Sequence, residues 1–321
     1  MKIGITGGTG FVGRHLARRL VADGHGVLLV ARGVDRRDMG VRLLPGAELI
    51  TSDLGSPEPL AAAFAGCDAV AHLAGINREI GDQTYQRVHV EGTAHVINAA
   101  RHAGVAKLVM LSFLRARPGC GSGYHESKWA AEELVQCSGL DHAILKAGMI
   151  HGRGDHMLDH LSHSIHTIPL FATVGWREQP IRPVSIDDVV TILVAALVDG
   201  RLSRKTVSVT GPETILLSEA ARRIARVLGR PLLIFPAPVM LHRVLAVVFE
   251  ATMRIPLVAR AQVRMLEEGF VEPGPAAEPL PEDLLPTRSF SDAEIRRGLP
   301  PPAPFGLADL RACCQPGRLR S

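Results

Sequence analysis

The chain has 321 residues, 46% hydrophobic and 21% charged, which is enough for one large α/β unit with an appended lobe. Its formal charge is +4, and its arginines are scattered (14, 18, 19, 32, 36, 37, then 222, 223, 226, 230), the pattern of solvated helix faces and not of a nucleic-acid-binding surface. Five cysteines, at 67, 120, 137, 313 and 314, form neither a Cys-x-x-Cys motif nor a secreted framework, so a reducing compartment is implied.

In chain order, Lys2-Ile3-Gly4-Ile5 reads as a buried strand that begins at residue 2. No leader peptide is therefore expected, and the reading is a cytoplasmic protein. The turn Thr6-Gly7-Gly8-Thr9-Gly10-Phe11-Val12-Gly13 follows, and then a helix from Phe11 to Ala22 with apolar residues at 12, 16, 17, 20 and 21. Strand, glycine turn and helix together are the context that a dinucleotide fingerprint requires. Gly7 permits the tight turn, Gly10 lets the backbone approach a pyrophosphate, and Gly13 allows close helix packing. The first turn of the helix, with Phe11 and Val12, offers free N–H groups and the positive end of its dipole.

The next strand, Gly26 to Val30, leads into Ala31-Arg32. A carboxylate there would accept a hydrogen bond from a ribose 2′-hydroxyl, whereas an arginine pairs with a 2′-phosphate. NADP(H) is therefore favoured, with NAD(H) as the alternative. Gly24-His25-Gly26, Gly66-Cys67-Asp68 and Ala103-Gly104-Val105 punctuate helix ends before strands Val27 to Val30, Ala69 to His72 and Lys107 to Leu111. His142 to Lys146 and Thr206 to Val209 read as later strands.

This alternation predicts an α/β fold: a Rossmann-type doubly wound parallel sheet with a smaller C-terminal substrate lobe. The nucleotide domain is expected over 1–147 and 183–211, and the substrate lobe over 148–182 and 212–321, with a proline-rich tail. The longest apolar stretches, Val189 to Val198 and Val244 to Phe249, fall short of the ~20 residues that span a bilayer, so no stable membrane insertion is expected.

Tyr124-His125-Glu126-Ser127-Lys128 spells Tyr-x-x-x-Lys, which puts the tyrosine and lysine on one helical face. A free phenol has a pKa of about 10 and needs a nearby cation to act as acid or base at neutral pH. Further on, His156, His160 and His163 also share a helical face. They read either as metal ligands or as a polar wall of a substrate pocket, and the second reading, with no metal, is preferred. From Glu272 to Pro304 the density of proline excludes a long helix or a central strand, and the segment is expected to wrap the substrate lobe.

Taken in order, these motifs resemble the short-chain dehydrogenase/reductase superfamily in its extended or atypical branch, related to NAD-dependent epimerases and dehydratases. Thr6 to Gly13 is similar to that branch's T-G-x-x-G-x-x-G, and Asp53-Leu54 to the pair whose carboxylate meets the adenine. His72-Leu73-Ala74-Gly75 is similar to the segment that lines the cofactor, Val90-Glu91-Gly92-Thr93 to the helix after it, and Pro183 to Val189 to the P-V-x-V-D-D-V segment. The resemblance implies that Tyr124 exchanges a proton with a small-molecule substrate while Lys128 lowers its pKa and holds the nicotinamide ribose. Ala237 to Gly269, with the amphipathic run Pro238 to Leu245, then Ile255-Pro256 and Gln262 to Leu266, resembles members related to the NADPH-binding accessory subunit of respiratory complex I. Helices of this kind usually pack in a core or across a dimer, which leaves a homodimer open.

The sequence departs from the family pattern at two places. A hydroxyl is usual at the end of the fifth strand, where Ser112 alone is available and precedes Phe113-Leu114; His89 replaces a usual asparagine. Ser112 is carried as the third catalytic candidate. Two functions follow: an NAD(P)(H)-dependent oxidoreductase acting on a carbonyl or alcohol carbon, or a non-catalytic NADPH-binding assembly or regulatory protein.

Overall fold

Residues along the central strands are apolar at consecutive positions, and this pattern requires a sheet covered on both faces. A computed structural model describes residues 1–32, 39–253, 260–269, 271–275, 277–302 and 304 of the protein. Arg36, Arg37, the pair Ile255-Pro256, Cys313 and Cys314 lie outside the described residues.

The strands are β1 (Lys2–Thr6), β2 (Gly26–Ala31), β3 (Ala47–Thr51), β4 (Ala69–His72), β5 (Lys107–Phe113), β6 (Asp141–Ala147), β7 (Ile150–His151), β8 (Leu170–Val174), β9 (Pro180–Ile181), β10 (Val184–Ser185), β11 (Lys205–Val209), β12 (Ile215–Leu216) and β13 (Leu233–Ala237). The helices are α1 (Phe11–Ala22), α2 (Pro57–Phe64), α3 (Gly92–His102), α4 (Gly123–Gln136), α5 (His156–Thr167), α6 (Ile186–Leu197), α7 (Leu217–Leu228), α8 (Val239–Thr252), α9 (Arg260–Glu268) and α10 (Asp292–Gly298).

The described residues form two compact units, one within 1–150, 184–212 and 272–287 and the other within 151–183, 213–271 and 288–304. The first holds a seven-stranded sheet in the order β11-β6-β5-β4-β1-β2-β3 with every pairing parallel. This is the Rossmann-like α/β fold. Strand pleating sorts the apolar side chains. Ile3, Ile5, Val27, Leu29, Val109 and Leu145 pack on one face with α1 and α6, while Leu28, Val30, Val70, Leu108, Met110 and Ile144 pack on the other with α2, α3 and α4. The strand order reverses between β1 and β4, and in open α/β sheets the ligand crevice lies at such a reversal, outside the carboxyl ends of the strands.

Part of the proline-rich segment belongs to this first unit. Glu278 exchanges backbone hydrogen bonds with the outer strand β11, donating to Thr206 O at 2.8 Å and accepting from Ser208 N at 2.9 Å. Its carboxylate also pairs with Lys205. The segment thus lies along the edge of the sheet, and its prolines suit an edge.

In the second unit, β8 runs parallel to β13, and β9 antiparallel to β12. Arg223 on α7 ties Glu213, Glu219 and the carbonyl of the buried Phe290 together at 3.0 to 3.1 Å. The helix α8 buries only His242 and Ala246, and it exposes Met240, Leu241, Val244, Val247 and Val248. Among the described residues, no helix is long and apolar enough to cross a membrane.

The turn after β1 requires its glycines. Gly7 sits at φ +70°, and a Cβ there would meet Ala74 N at 2.8 Å; a Cβ on Gly13 would meet Gly7 O at 2.4 Å. Gly13→Ala is expected to lower stability by about 1 to 3 kcal/mol, because a rigid backbone oxygen and not a mobile side chain occupies the space. Urea unfolding measures this, and an unchanged midpoint would show that the turn relaxes around the methyl group.

Candidate functional site

The crevice at the β1–β4 reversal brings the glycine turn and helix α4 to the same end of the sheet. The link between them is short. Ala74 packs on Gly7, and a Cβ built on the next residue, Gly75, would lie 3.2 Å from Lys128 Nζ and 3.4 Å from His89 Nε2. Lys128 and His89 therefore converge beneath an exposed glycine. Tyr124 is one helical turn before Lys128, and both side chains are buried.

Burial governs the electrostatics here. It pushes the Tyr124 phenol well above its ordinary range, with Tyr85 adding to the effect. It also lowers the Lys128 ammonium to about 8, against a smaller opposing pull from Glu132. Lys128 Nζ lies 3.5 Å from Leu111 O. Rings surround Tyr124: Phe113 at 5.4 Å, Tyr85 and His89 at 5.7 Å and His125 at 6.0 Å between centroids. The chain has two tyrosines, and both meet here.

Ser112 does not reach Tyr124 as the expected hydroxyl. Its Oγ donates to Glu132 Oε1. The β5–β6 register pairs Ser112 with Lys146, so both side chains leave the sheet on the same face, where Lys146 Nζ meets Glu132 Oε2 at 2.7 Å. The position beside the phenol belongs to Phe113, which has no hydrogen-bonding group. The structure thus places the Ser112 hydroxyl, carried as the third catalytic candidate, on a buried ion pair.

The rest of that pair is fully enclosed. Neither Glu132 nor Lys146 exposes its side chain. Lys146 also donates to Ala116 O at 3.0 Å and Pro275 O at 3.4 Å, and it lies 5.1 Å from the centre of the Trp129 ring. Burial pushes the Glu132 carboxyl up, while Lys146, Ser112 and Lys128 each draw it back down.

At the other end of the crevice, α1 begins at Phe11 after Gly10, which provides no side-chain cap, and it has no acidic residue in its first turn. Its leading N–H groups, at Phe11, Val12 and Gly13, are thus free of a competing carboxylate, and these residues fit a pyrophosphate. Arg32 is exposed directly after β2 and donates to Gln83 Oε1 at 2.7 Å. Asp53 is exposed after β3 and accepts from Gly55 N at 2.9 Å, while Leu54 packs under Gly92. Leu73 N donates to Thr6 O, joining the Leu73-Ala74-Gly75 segment to the end of β1.

The expected histidine face on α5 does form a helix, with the rings of His156 and His160 5.5 Å apart. Among the described residues, no group of three or more His, Cys, Asp or Glu gathers to hold a metal ion. Asp155 caps this helix by accepting from Leu158 N at 2.7 Å and Gly152 N at 2.6 Å, and burial pushes its carboxyl up to about 7.

Several residues of the site were not singled out by the sequence reading: Glu132, Lys146 and Tyr85, while His72, Thr93 and Ser127 entered it only as members of longer motifs. A signal existed for two of them. Glu132 continues the i, i+4 stripe of Tyr124 and Lys128, and Lys146 is a lysine inside an apolar strand.

A family profile described as NAD(P)H-binding matches residues 7–161. The ceramide reductase of Caulobacter vibrioides is 36% identical over 157 residues, which make up 48% of this chain and 47% of that protein. An uncharacterized sugar epimerase of Bacillus subtilis, YhfK, is 31% identical over 156 residues, 46% of this chain and 72% of that protein. Uncharacterized proteins of Mycobacterium tuberculosis and Mycobacterium bovis are 28% identical over 240 residues, 75% of this chain. The chain spans 25% of the length of these mycobacterial relatives. Among solved structures, the UDP-glucuronic acid 4-epimerase of Bacillus cereus superposes with a TM-score of 0.69 at 18% identity, covering 92% of this chain and 97% of that one. This likeness is one of fold.

Replacing Lys146 by methionine leaves Glu132 buried without its cation, and a loss of about 3 to 5 kcal/mol in unfolding free energy is expected. The double variant Lys146→Met with Glu132→Leu is expected to recover much of that loss. Urea unfolding of both proteins checks this; equal destabilisation in the two would show that packing, and not the orphaned charge, sets the cost.

Proposed function

The chain belongs to the short-chain dehydrogenase/reductase superfamily, in its extended or atypical branch, and from that premise we propose that it is an NAD(P)(H)-dependent oxidoreductase that reduces a carbonyl carbon of a small-molecule substrate or oxidises the matching alcohol. The observation that carries this reading is the convergence of Tyr124, Lys128 and Gly75 at the same end of the sheet as the glycine turn. When bound there, a nicotinamide dinucleotide supplies or accepts the hydride.

Gly7, Gly10, Phe11, Val12 and Gly13 would hold the pyrophosphate, Asp53 and Leu54 the adenine end, Leu73, Ala74 and Gly75 the wall, and Lys128 the nicotinamide ribose. NADP(H) is the preferred form. Arg32 is exposed at the end of β2, and its present acceptor is a neutral glutamine, which a 2′-phosphate would outcompete as a hydrogen-bond acceptor. Tyr124 keeps its proton at neutral pH because burial disfavours the phenolate, so it donates to the substrate oxygen as that oxygen gains electron density. Lys128 stabilises the phenolate that remains. The ceramide reductase relative supports the reducing direction, since its name describes reduction.

A second reading rests on one observation. Ser112 is held by Glu132, and Phe113 lies against Tyr124, so the Ser112 hydroxyl is engaged away from the phenol. In this reading the chain binds NADPH without turnover and acts in assembly or regulation.

Calorimetry with NADPH and NADH separates these readings from a chain that binds neither. Arg32→Ala is expected to weaken NADPH by about 1 to 3 kcal/mol and to leave NADH unchanged; equal binding of the variant and the parent protein would remove the phosphate contact. In a carbonyl-reductase screen, kcat/KM is expected to fall as pH rises through about 8, where Lys128 loses its proton. Tyr124→Phe is expected to bind nucleotide but not to turn over. Nucleotide binding with no turnover on any carbonyl by the parent protein would favour the second reading.

A further inference from the structure

His89 stands where the resemblance has an asparagine, and the geometry around it is closed. Its Nε2 receives the N–H of Ile76 at 3.1 Å, so that nitrogen holds its lone pair and Nδ1 carries the proton. Nδ1 then donates to Ser127 Oγ at 2.9 Å, and Ser127 Oγ donates to the carbonyl of Tyr124 at 3.0 Å.

The same logic fixes His72 in the opposite tautomer. Thr93 Oγ1 donates to His89 O, so it accepts from His72 Nε2 at 3.0 Å, and His72 Nδ1 accepts from Thr6 Oγ1 at 2.7 Å. Thr6 and His72 are register partners on β1 and β4, which places both side chains on one face. Every donor in this series points the same way: Thr6 to His72, His72 to Thr93, Thr93 to the backbone of His89, His89 to Ser127, and Ser127 to the backbone of Tyr124. Both imidazoles are buried.

We propose that this series is a polar strut that ties the glycine turn to the helix bearing Tyr124 and Lys128, with His89 as a positioning residue and not a proton relay. It deepens the oxidoreductase reading and rests on it for the purpose of the strut, though not for its existence. A relay needs a nitrogen that exchanges its proton with substrate or solvent, and both nitrogens of His89 are committed to protein partners. The groups that face the ring are Lys128 and Tyr124 from α4, His72 from β4, and Tyr85, which stacks on it at 5.4 Å with 23° between planes. Burial, then the Lys128 charge, hold His89 neutral, with its ring pKa near 2, and the adjacent His72 also disfavours protonation; burial and Lys128 hold His72 near 3. Ile76 directly follows Gly75, the last residue of the wall of the nucleotide crevice, so His89 sets the path of that wall as well as the position of α4.

The test is long-range nitrogen–proton NMR on the full chain labelled at histidine, with His89→Gln and His72→Gln used to assign the two rings. His89 is expected as the Nδ1–H tautomer and His72 as the Nε2–H tautomer, both unchanged between pH 5 and 8. Titration of His89 in that range, or the Nε2–H tautomer, would overturn the proposal whether or not the protein binds nucleotide. Calorimetry then reads the coupling. His89→Phe removes both hydrogen bonds and is expected to weaken nucleotide about tenfold, while His89→Gln, able to accept from Ile76 N, is expected to restore most of it. Unchanged affinity in a folded His89→Phe protein would sink the strut. Absence of binding by the parent chain would sink the nucleotide reading and leave the tautomer result to decide the hydrogen-bond series.

Discussion

The buried pair of Glu132 and Lys146 fixes where α4 lies, and much of the site depends on that. An ammonium and a carboxylate with no solvent exposure are stable only when each is fully hydrogen-bonded. Here the second carboxylate oxygen takes the Ser112 hydroxyl, and the ammonium also takes two backbone carbonyls, Ala116 and Pro275, and the Trp129 face. Sliding or rotating α4 would break several of these contacts at once. Because Glu132, Lys128 and Tyr124 are spaced by four residues, the rotation that satisfies the pair also fixes the direction of the lysine and the phenol. The pair also reaches the proline-rich segment through Pro275, which explains why a stretch without long regular structure clusters with the sheet.

A second constraint works from the other side of the crevice. The glycine turn is held so tightly against Ala74 and the start of α1 that its shape does not depend on side chains. Position is passed on through backbone contacts: Thr6 O to Leu73 N, Ala74 against Gly7, Gly75 over Lys128. A rigid turn and a rigid helix then meet at an exposed glycine. Groups that must act within hydrogen-bond distance of a ligand are best placed on elements of this kind, because their own conformations are already determined by packing.

Most of this fold was legible in the sequence, for physical reasons that can be named. The helix Phe11–Ala22 and the strand Ala69–His72 fall within the expected bounds because glycine punctuation and apolar runs define their ends. The strand β3, Ala47–Thr51, left no clear signal. It lies at the sheet's edge with Glu48 and Thr51 exposed, so nothing requires a continuous apolar run. The strand β5 runs on to Phe113, two residues past the expected end at Leu111, and those two residues decide what stands beside Tyr124. Lys146 carried a signal that can be interpreted only with its partner in view: a lysine amid Ile144, Leu145 and Ala147 says that a charge is buried, but not where its counter-ion comes from. His89 is the harder case. Its tautomer is set by the Ile76 N–H, a backbone group on a loop, and nothing in the sequence around position 89 encodes that approach.

The two departures from the family pattern turn out to be different in kind. Ser112 is lost to the phenol through register: its neighbour across the sheet is Lys146, and a hydroxyl on that face completes the ion pair. Moving the hydroxyl one place along the strand would turn it toward the partner position of Ala147 and strand an acceptor oxygen of Glu132 inside the protein. The serine thus completes the ion pair, and Phe113 takes the place next to Tyr124 because the pleat leaves that place to the following residue. At position 89 the opposite holds, since the histidine gains contacts that reach two elements at once, Ile76 on one side and Ser127 on the other. A shorter amide cannot span both from the same backbone position. Beside the phenol stands Phe113, with the Ser112 hydroxyl engaged by Glu132. What the site gains beneath Gly75 is a fixed ring, and the phenol of Tyr124 is flanked by the aromatic rings of Phe113 and Tyr85.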